Sequence, residues 1–461
     1  MVFQKEYINS VLSQSLKPLW LSTPSDFPSS ISHFSSDEKI KNEAFIKAQG
    51  NRIAKHFDKS SSFSMKLLPG SQKRWMRKTE KLVLQFFRQE AILGISTYLT
   101  QDTLSQVMTE FKEFLRTARR FAPELTFSDL GQAVRNYLVY AMFLEMHNKK
   151  QKCTPAIFGY SMLYPFTDNF IDSPKSPAQK QAYNKMIYDK IAGHPVTPVT
   201  EHEKKTCDLL TCIESVYSRQ TNPEIYEGLA LMLEAQQISL SQQFTEYQDQ
   251  ACTPGKSNQS DKTSQLDKSS QLDKSSQLDK TSQLGKSSLL DWEERLDISL
   301  LKGGVSVLID RYFADSDVTD EDIRFYLGFG FLLQLADDLQ DITSDIQEGS
   351  QTLFTLAGSP EEKGNLVNRL LNYTNRLFCS YSGPNPSFQA FIERSSVFLI
   401  IMSAQMSKEH FPTGYMEWWE NCFPVHFEVL DQYLKDSALY PGNITEDKLI
   451  QGIDLYLYGY N

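Results

Sequence analysis

The densest run of chemistry-bearing side chains is GFGFLLQLADDLQDITSD, from Gly328 to Asp345. On a helix, Gln334, Asp337, Asp338, Asp341 and Asp345 fall at i, i+3, i+4, i+7 and i+11 and share one stripe. That stripe emerges from Phe329, Phe331, Leu332, Leu333 and Leu335. Like charges one turn apart repel, and carboxylates beside apolar neighbours are costly unless a cation neutralises them. Hard divalent ions with oxygen ligands are the natural partner, and magnesium is usually held by a few carboxylates together with substrate phosphates. The plainer alternative is a solvated acidic face.

A second acidic pair follows an aromatic run: in AIFGYSMLYPFTDNFID, Asp168 and Asp172 stand at i and i+4. Two such helix ends facing each other would make a carboxylate-lined mouth above an aromatic cavity. A diphosphate bridged by magnesium suits that arrangement, because the metal neutralises charge that develops on the leaving group. Cationic help is available from Lys302, in SLLKGGVSVLID, where Gly303 and Gly304 permit close backbone approach. Arg219 ends the segment LLTCIESVYSR, and the ordinary role of a base in that position is to complement the helix dipole.

The run from Gly328 resembles the second aspartate-rich motif of trans-prenyl diphosphate synthases and related class I terpene synthases. Lys302 is similar to their diphosphate-binding lysine, and TDNFID resembles their first aspartate-rich motif. YPFTDNFID, IESVYSR, LEAQQISLSQQ, KGGVSVLIDRYF and DIQEGSQTLF resemble a bacterial-type branch of class I isoprenoid biosynthesis enzymes related to large terpene cyclases. The likeness covers roughly Leu130–Leu356, apart from a repeat described below. It implies an all-α, class I terpenoid synthase-like helical bundle with a central active-site cavity. It also implies that Asp168, Asp172, Asp337, Asp338 and Asp341 hold magnesium, or manganese in its place, and that Arg219 and Lys302 bind diphosphate. Gln334 would orient a carboxylate or water, and Gln236 lies at the matching position of the intervening helix. The implied reaction ionises a linear allylic prenyl diphosphate (C15–C25) to a terpene hydrocarbon or alcohol plus pyrophosphate. Two departures bear on the chemistry. Asn169 stands where a chain-elongating synthase has a second aspartate, and no Gly-Gly-Lys-x-x-Arg-Pro-like segment lies upstream; GSQKRWMRK at 70–78 is a poor substitute. Both favour a single-substrate cyclisation or elimination. A trans-prenyltransferase and a non-catalytic helical scaffold are the alternatives.

These residues need helices to position them, and helical periodicity is what the chain offers. Apolar spacing predicts helices at 81–99, Thr103–Arg120, Leu130–Met146, Pro155–Asp172, Pro177–Ala192, Glu201–Arg219, Pro223–Tyr247, Trp292–Tyr312, Asp320–Ile346, Glu361–Ser380, Pro386–Met406 and Gly414–Lys435. Thr154 before Pro155 reads as an N-cap with proline at the first helical position, and Pro165 should bend that helix. No convincing alternating strand appears. Residues 1–70 read as a partly irregular extension with short helical possibilities near Val11 and at Glu43–Phe57, and 71–252 with 289–461 as one helical domain. Between them, from Lys262, run KTSQLD, KSSQLD, KSSQLD, KTSQLG and KSSLLD, five near-copies of a hexapeptide. A leucine every six residues advances about 600° around a helix, so successive leucines share no face. Residues 253–288 are therefore expected to be a disordered insertion.

The totals agree with a globular enzyme. Of 461 residues, 40% are hydrophobic and 23% charged, and the net charge of −10 argues against nucleic acid as a partner. No signal peptide is visible, and Val397–Met402, the most apolar stretch, is too short to span a bilayer. Six scattered cysteines without a CxxC spacing read as free thiols of a cytoplasmic protein, with a homodimer as an open option. The seven histidines form no paired-ligand pattern. Phe158, Tyr160, Tyr164, Phe166, Tyr326 and Phe329 lie close to the acidic motifs, placed either to face a carbocation or simply to pack a core.

Overall fold

The computed structural model describes residues 5–29, 31–57, 69–242, 290–315, 317–435 and 446–458, which are helical with no β-strand among them. Local capping explains where many helices begin. Reciprocal boxes at Thr126/Asp129, Ser176/Gln179, Thr200/Glu203, Asp291/Glu294 and Thr319/Asp322 each satisfy two N–H groups that the first turn would otherwise leave open. Thr154 caps the helix Pro155–Asp172 by accepting from the Ile157 N–H, with Pro155 in the first turn, as the sequence predicts. That helix runs on through Pro165.

Four helices frame the acidic motifs: the tyrosine helix Pro155–Asp172, the glutamine helix Pro223–Ser239, the lysine helix Trp292–Ala314 and the aspartate helix Asp320–Gln340. The lysine and aspartate helices make the most extensive packing in the molecule. Glycine makes that possible. A Cβ on Gly330 would lie 2.1 Å from the Gly303 carbonyl oxygen, and one on Gly303 would lie 2.4 Å from that of Gly330. The two backbones touch, so Lys302 and Gln334 flank a crossing with no room to slide. Gly159 plays the same part for the tyrosine helix, where an added Cβ would meet the Leu209 carbonyl oxygen at 2.4 Å.

Several sequence expectations change: the helix expected over Glu201–Arg219 ends at Glu214, and the one expected over Gly414–Lys435 divides into Tyr415–Asn421 and Phe427–Lys435. The N-terminal segment is helical at Lys5–Val11, Lys17–Leu21 and Ser36–Phe57, with a π-helical turn at Leu12–Leu16 between the first two. Ile8, Leu12, Leu16 and Trp20 belong to the main core, and Trp20 packs edge-on against Phe331 and Tyr373. The helix expected over 81–99 ends at Gln89, because the Glu90 carboxylate gathers the N–H groups of Leu93, Gly94 and Ile95 while Gly94 takes a φ of 70°. The helix expected over Asp320–Ile346 stops at Gln340, and a short helix Ile342–Glu348 follows.

The insertion at 253–288 lies outside the described residues. Its flanks do not. Gln242 and Gln351 exchange hydrogen bonds of 2.8 and 3.0 Å, and the Gln351 side chain accepts from the Leu290 N–H at 2.8 Å. The chain thus leaves and returns at one residue. The last hexapeptide copy ends in Asp291, the N-cap of the lysine helix. Among the described residues no helix is long and apolar enough to cross a membrane.

Candidate functional site

The aspartate helix delivers its carboxylates at its last turn. Asp337 is exposed, Asp338 is buried, and Asp341 and Asp345 are half-buried around the break that separates the two helices. The Gln334 amide donates to Asp338 Oδ1 at 2.8 Å, one turn along the same helix. Asp338 Oδ2 is buried with no hydrogen-bond partner among the described residues. Burial pushes the Asp338 carboxyl up to about 7, helped by Asp337 and Asp345 and opposed by the Gln334 bond and by Lys302. Asp345 is likewise pushed up to about 7, first by burial and then by Asp341, Asp337 and Glu348, with Lys302 again opposing. Asp341 is raised by burial and by Asp337, and Arg135 is the cation that counters it. One lysine therefore faces several mutually repelling carboxylates, too little positive charge to hold them all ionised.

The first motif sits at the end of the tyrosine helix. Asp168 Oδ1 accepts from the Gln236 amide at 2.9 Å and from its neighbour Thr167 at 3.2 Å. The other amide atom of that glutamine, Oε1, is buried without a partner among the described residues. Asp172 is the last residue of the helix, and its side chain lies outside the described residues.

The site residues expected from the sequence thus divide. Gln334, Asp337, Asp338, Asp341 and Lys302 gather around the end of the aspartate helix, and Asp168 meets Gln236. Arg219 goes elsewhere. Its guanidinium donates to the carbonyls of Ile191 and Lys190, pairs with Glu214, and lies over the Tyr226 ring at 4.4 Å. Tyr226 is ten residues before Gln236 on one helix, about 15 Å along its axis. Arg219 therefore closes off the C-terminus of Pro177–Ile191, and the contacts it makes among the described residues are with Lys190, Ile191, Glu214 and Tyr226 rather than with the acidic motifs. Arg135 was not anticipated. It lies on Phe127–Met146 in no acidic neighbourhood of sequence, so only the fold brings it to Asp341.

No family model, curated protein or solved structure matches the chain.

The aromatic residues near the motifs pack against one another. Phe143 meets Tyr326 edge-on, Phe325 stacks on Phe329, and Phe158 and Phe166 both contact Phe121. Among the described residues no group of three or more His, Cys, Asp or Glu is arranged to hold a metal alone. The donors are nonetheless of the right kind for magnesium: all are oxygens, one is buried without a partner among the described residues, and two carboxyls are raised to about 7 by burial and by neighbouring carboxylates. Magnesium commonly takes only one or two carboxylates, with substrate phosphate supplying the rest.

Proposed function

We propose that the chain is a magnesium-dependent class I terpene synthase, whose acidic helix ends receive the diphosphate of a linear allylic prenyl substrate. The observation that carries this reading is the group Asp337, Asp338, Asp341 and Asp345 facing Lys302, with Asp338 Oδ2 buried and unsatisfied. Asp337, Asp338 and Asp341, together with Asp168 and Asp172, would hold the metal. When bound, magnesium supplies the positive charge that stabilises departing pyrophosphate. The chain's own groups do the rest. Gln334 fixes Asp338 Oδ1 and leaves Oδ2 for a cation, while Gln236 orients Asp168 in the same way. Lys302, held by the glycine crossing, offers an ammonium to the diphosphate. The allylic C–O bond breaks, its electron pair leaves with pyrophosphate, and the cation forms among apolar and aromatic side chains that exclude water.

Thermal unfolding with magnesium and pyrophosphate together tests the binding half. The parent should be stabilised, and Asp337→Ala combined with Asp341→Ala should abolish the effect. Asp338→Asn should also abolish it while raising the metal-free stability by up to about 4 kcal/mol at pH 8, since a neutral isostere replaces a carboxyl that resists ionisation. Incubation with geranyl, farnesyl, geranylgeranyl or geranylfarnesyl diphosphate tests the chemical half. A hydrocarbon or alcohol from one substrate alone supports the synthase. Longer diphosphates formed only with isopentenyl diphosphate would replace it with a transferase.

A further inference from the structure

Behind the acidic mouth, a polar column runs into the apolar bundle. On the tyrosine helix Tyr160, Tyr164 and Asp168 stand one turn apart, and on the lysine helix Lys302, Ser306 and Asp310 do the same. The two rows face each other in opposite directions. Tyr160 donates to the Ser306 carbonyl at 2.9 Å, its hydroxyl lies 3.4 Å from that of Tyr164, and Tyr164 feels the charge of both Asp168 and Asp310. On the glutamine helix Met232 touches the Tyr160 hydroxyl, and one turn later Gln236 meets Asp168.

Asp310 closes the column. It is 1% exposed, and its Oδ2 accepts from the Asn136 amide at 2.8 Å. The Asn136 carbonyl oxygen in turn accepts from Ser161 at 2.7 Å, so the carboxyl is held in one orientation. Its Oδ1 is buried with no hydrogen-bond partner among the described residues. A carboxyl present only for structure would have both oxygens satisfied at this depth. Here one is fixed and the other is left free. Burial raises the group well above the usual carboxylate range, against the Asn136 hydrogen bond, and so favours the protonated form.

We propose that Asp310 is a catalytic acid–base residue that acts on the hydrocarbon part of the substrate, at the closed end of the column. This rests on the diphosphate-ionising reading above. After the C–O bond breaks, the first cation loses a proton to the released pyrophosphate, and the C–H electron pair becomes a carbon–carbon double bond. Asp310 Oδ1–H then protonates a double bond of this neutral olefin; the π electrons form the new C–H bond and a second cation appears. At the end the Asp310 carboxylate removes a proton from that cation, whose C–H pair closes the last double bond. The acid is restored, and the sum is prenyl diphosphate to hydrocarbon plus protonated pyrophosphate. The substrate is thereby one whose reaction passes through a neutral olefin.

The test is a single turnover with enzyme in excess, equilibrated in D2O, mixed with the prenyl diphosphate that the parent consumes. Pyrophosphate release and product mass are both read. The expected result is one deuterium in each hydrocarbon from the parent. Asp310→Asn should match each pyrophosphate it releases with an undeuterated olefin in place of the deuterated hydrocarbon. Pyrophosphate release by the parent with no deuterium in the product overturns the role of Asp310 alone, and needs no variant to fold. An unchanged, deuterated product from Asp310→Asn overturns it too. No pyrophosphate from the parent overturns the synthase reading and this inference with it.

Discussion

Arg219 and Lys302 carry the same charge and differ in what surrounds them. Replacing Arg219 by alanine removes its bonds to the Lys190 and Ile191 carbonyls and leaves Glu214 paired with Lys190 alone. The expected loss is about 1–3 kcal/mol in urea denaturation, with the magnesium–pyrophosphate response of the folded protein intact. Loss of that response would return Arg219 to the site. The contrast shows what is legible at this scale. Lys302 precedes two glycines, and that context already marks a close helix crossing. Nothing beside Arg219 in sequence reveals that the carbonyls it meets lie 28 and 29 residues away. The surroundings of Asp310 are equally hidden, because its partner Asn136 is 174 residues distant.

Helices impose their own demands. Gly330→Ala would put a methyl group 2.1 Å from a backbone oxygen that cannot turn aside, so the lysine and aspartate helices must separate. The expected cost is roughly 1–3 kcal/mol, read as a lowered melting temperature, together with loss of metal-dependent stabilisation as Lys302 moves off the carboxylates. A variant that melts normally and keeps its metal response would show that the crossing does not position the site. Helix existence was plain from periodicity and caps, since Thr154-Pro155 and the flanking apolar spacing are local signals. The ends were less so. Glu90 ends a helix by binding three N–H groups beyond it, and Asp341 interrupts another, and neither event alters the apolar spacing.

Across the whole molecule, the end of the bundle away from the carboxylates is tied by a buried knot. Arg311 pairs with Asp322 at 3.1 Å, Tyr381 donates to Asp322 at 2.6 Å, and His147 lies 2.8 Å from the Tyr326 hydroxyl and 3.4 Å from that of Tyr381. Burial and then Arg311 depress the imidazole to about 4, against the pull of Asp322 and Asp315, with Lys149 adding to the depression. The unfolded chain therefore takes up this proton first as pH falls. Stability is complete above the ordinary value of 6.5 and declines down to about 4, by about 3 kcal/mol. Asp322, held below its usual range, adds a loss of the same sign under pH 3.8. Over the same interval the raised Asp338 and Asp345 carboxyls change stability with the opposite sign, so the His147 contribution is read as the difference between the urea stabilities of the parent and of His147→Gln from pH 7 to 4; an unchanging difference would place the titrating group elsewhere.

The meeting of both flanks at Gln351 has a consequence for how this gene can change. Closing a loop grows costlier only with the logarithm of its length, about 0.6 kcal/mol for each doubling. Copies of the hexapeptide can therefore be gained or lost by replication slippage with little penalty to the folded domain. Only the last copy is held to its sequence, because its aspartate caps the lysine helix. Repeat number in this lineage should drift freely while that final unit stays put.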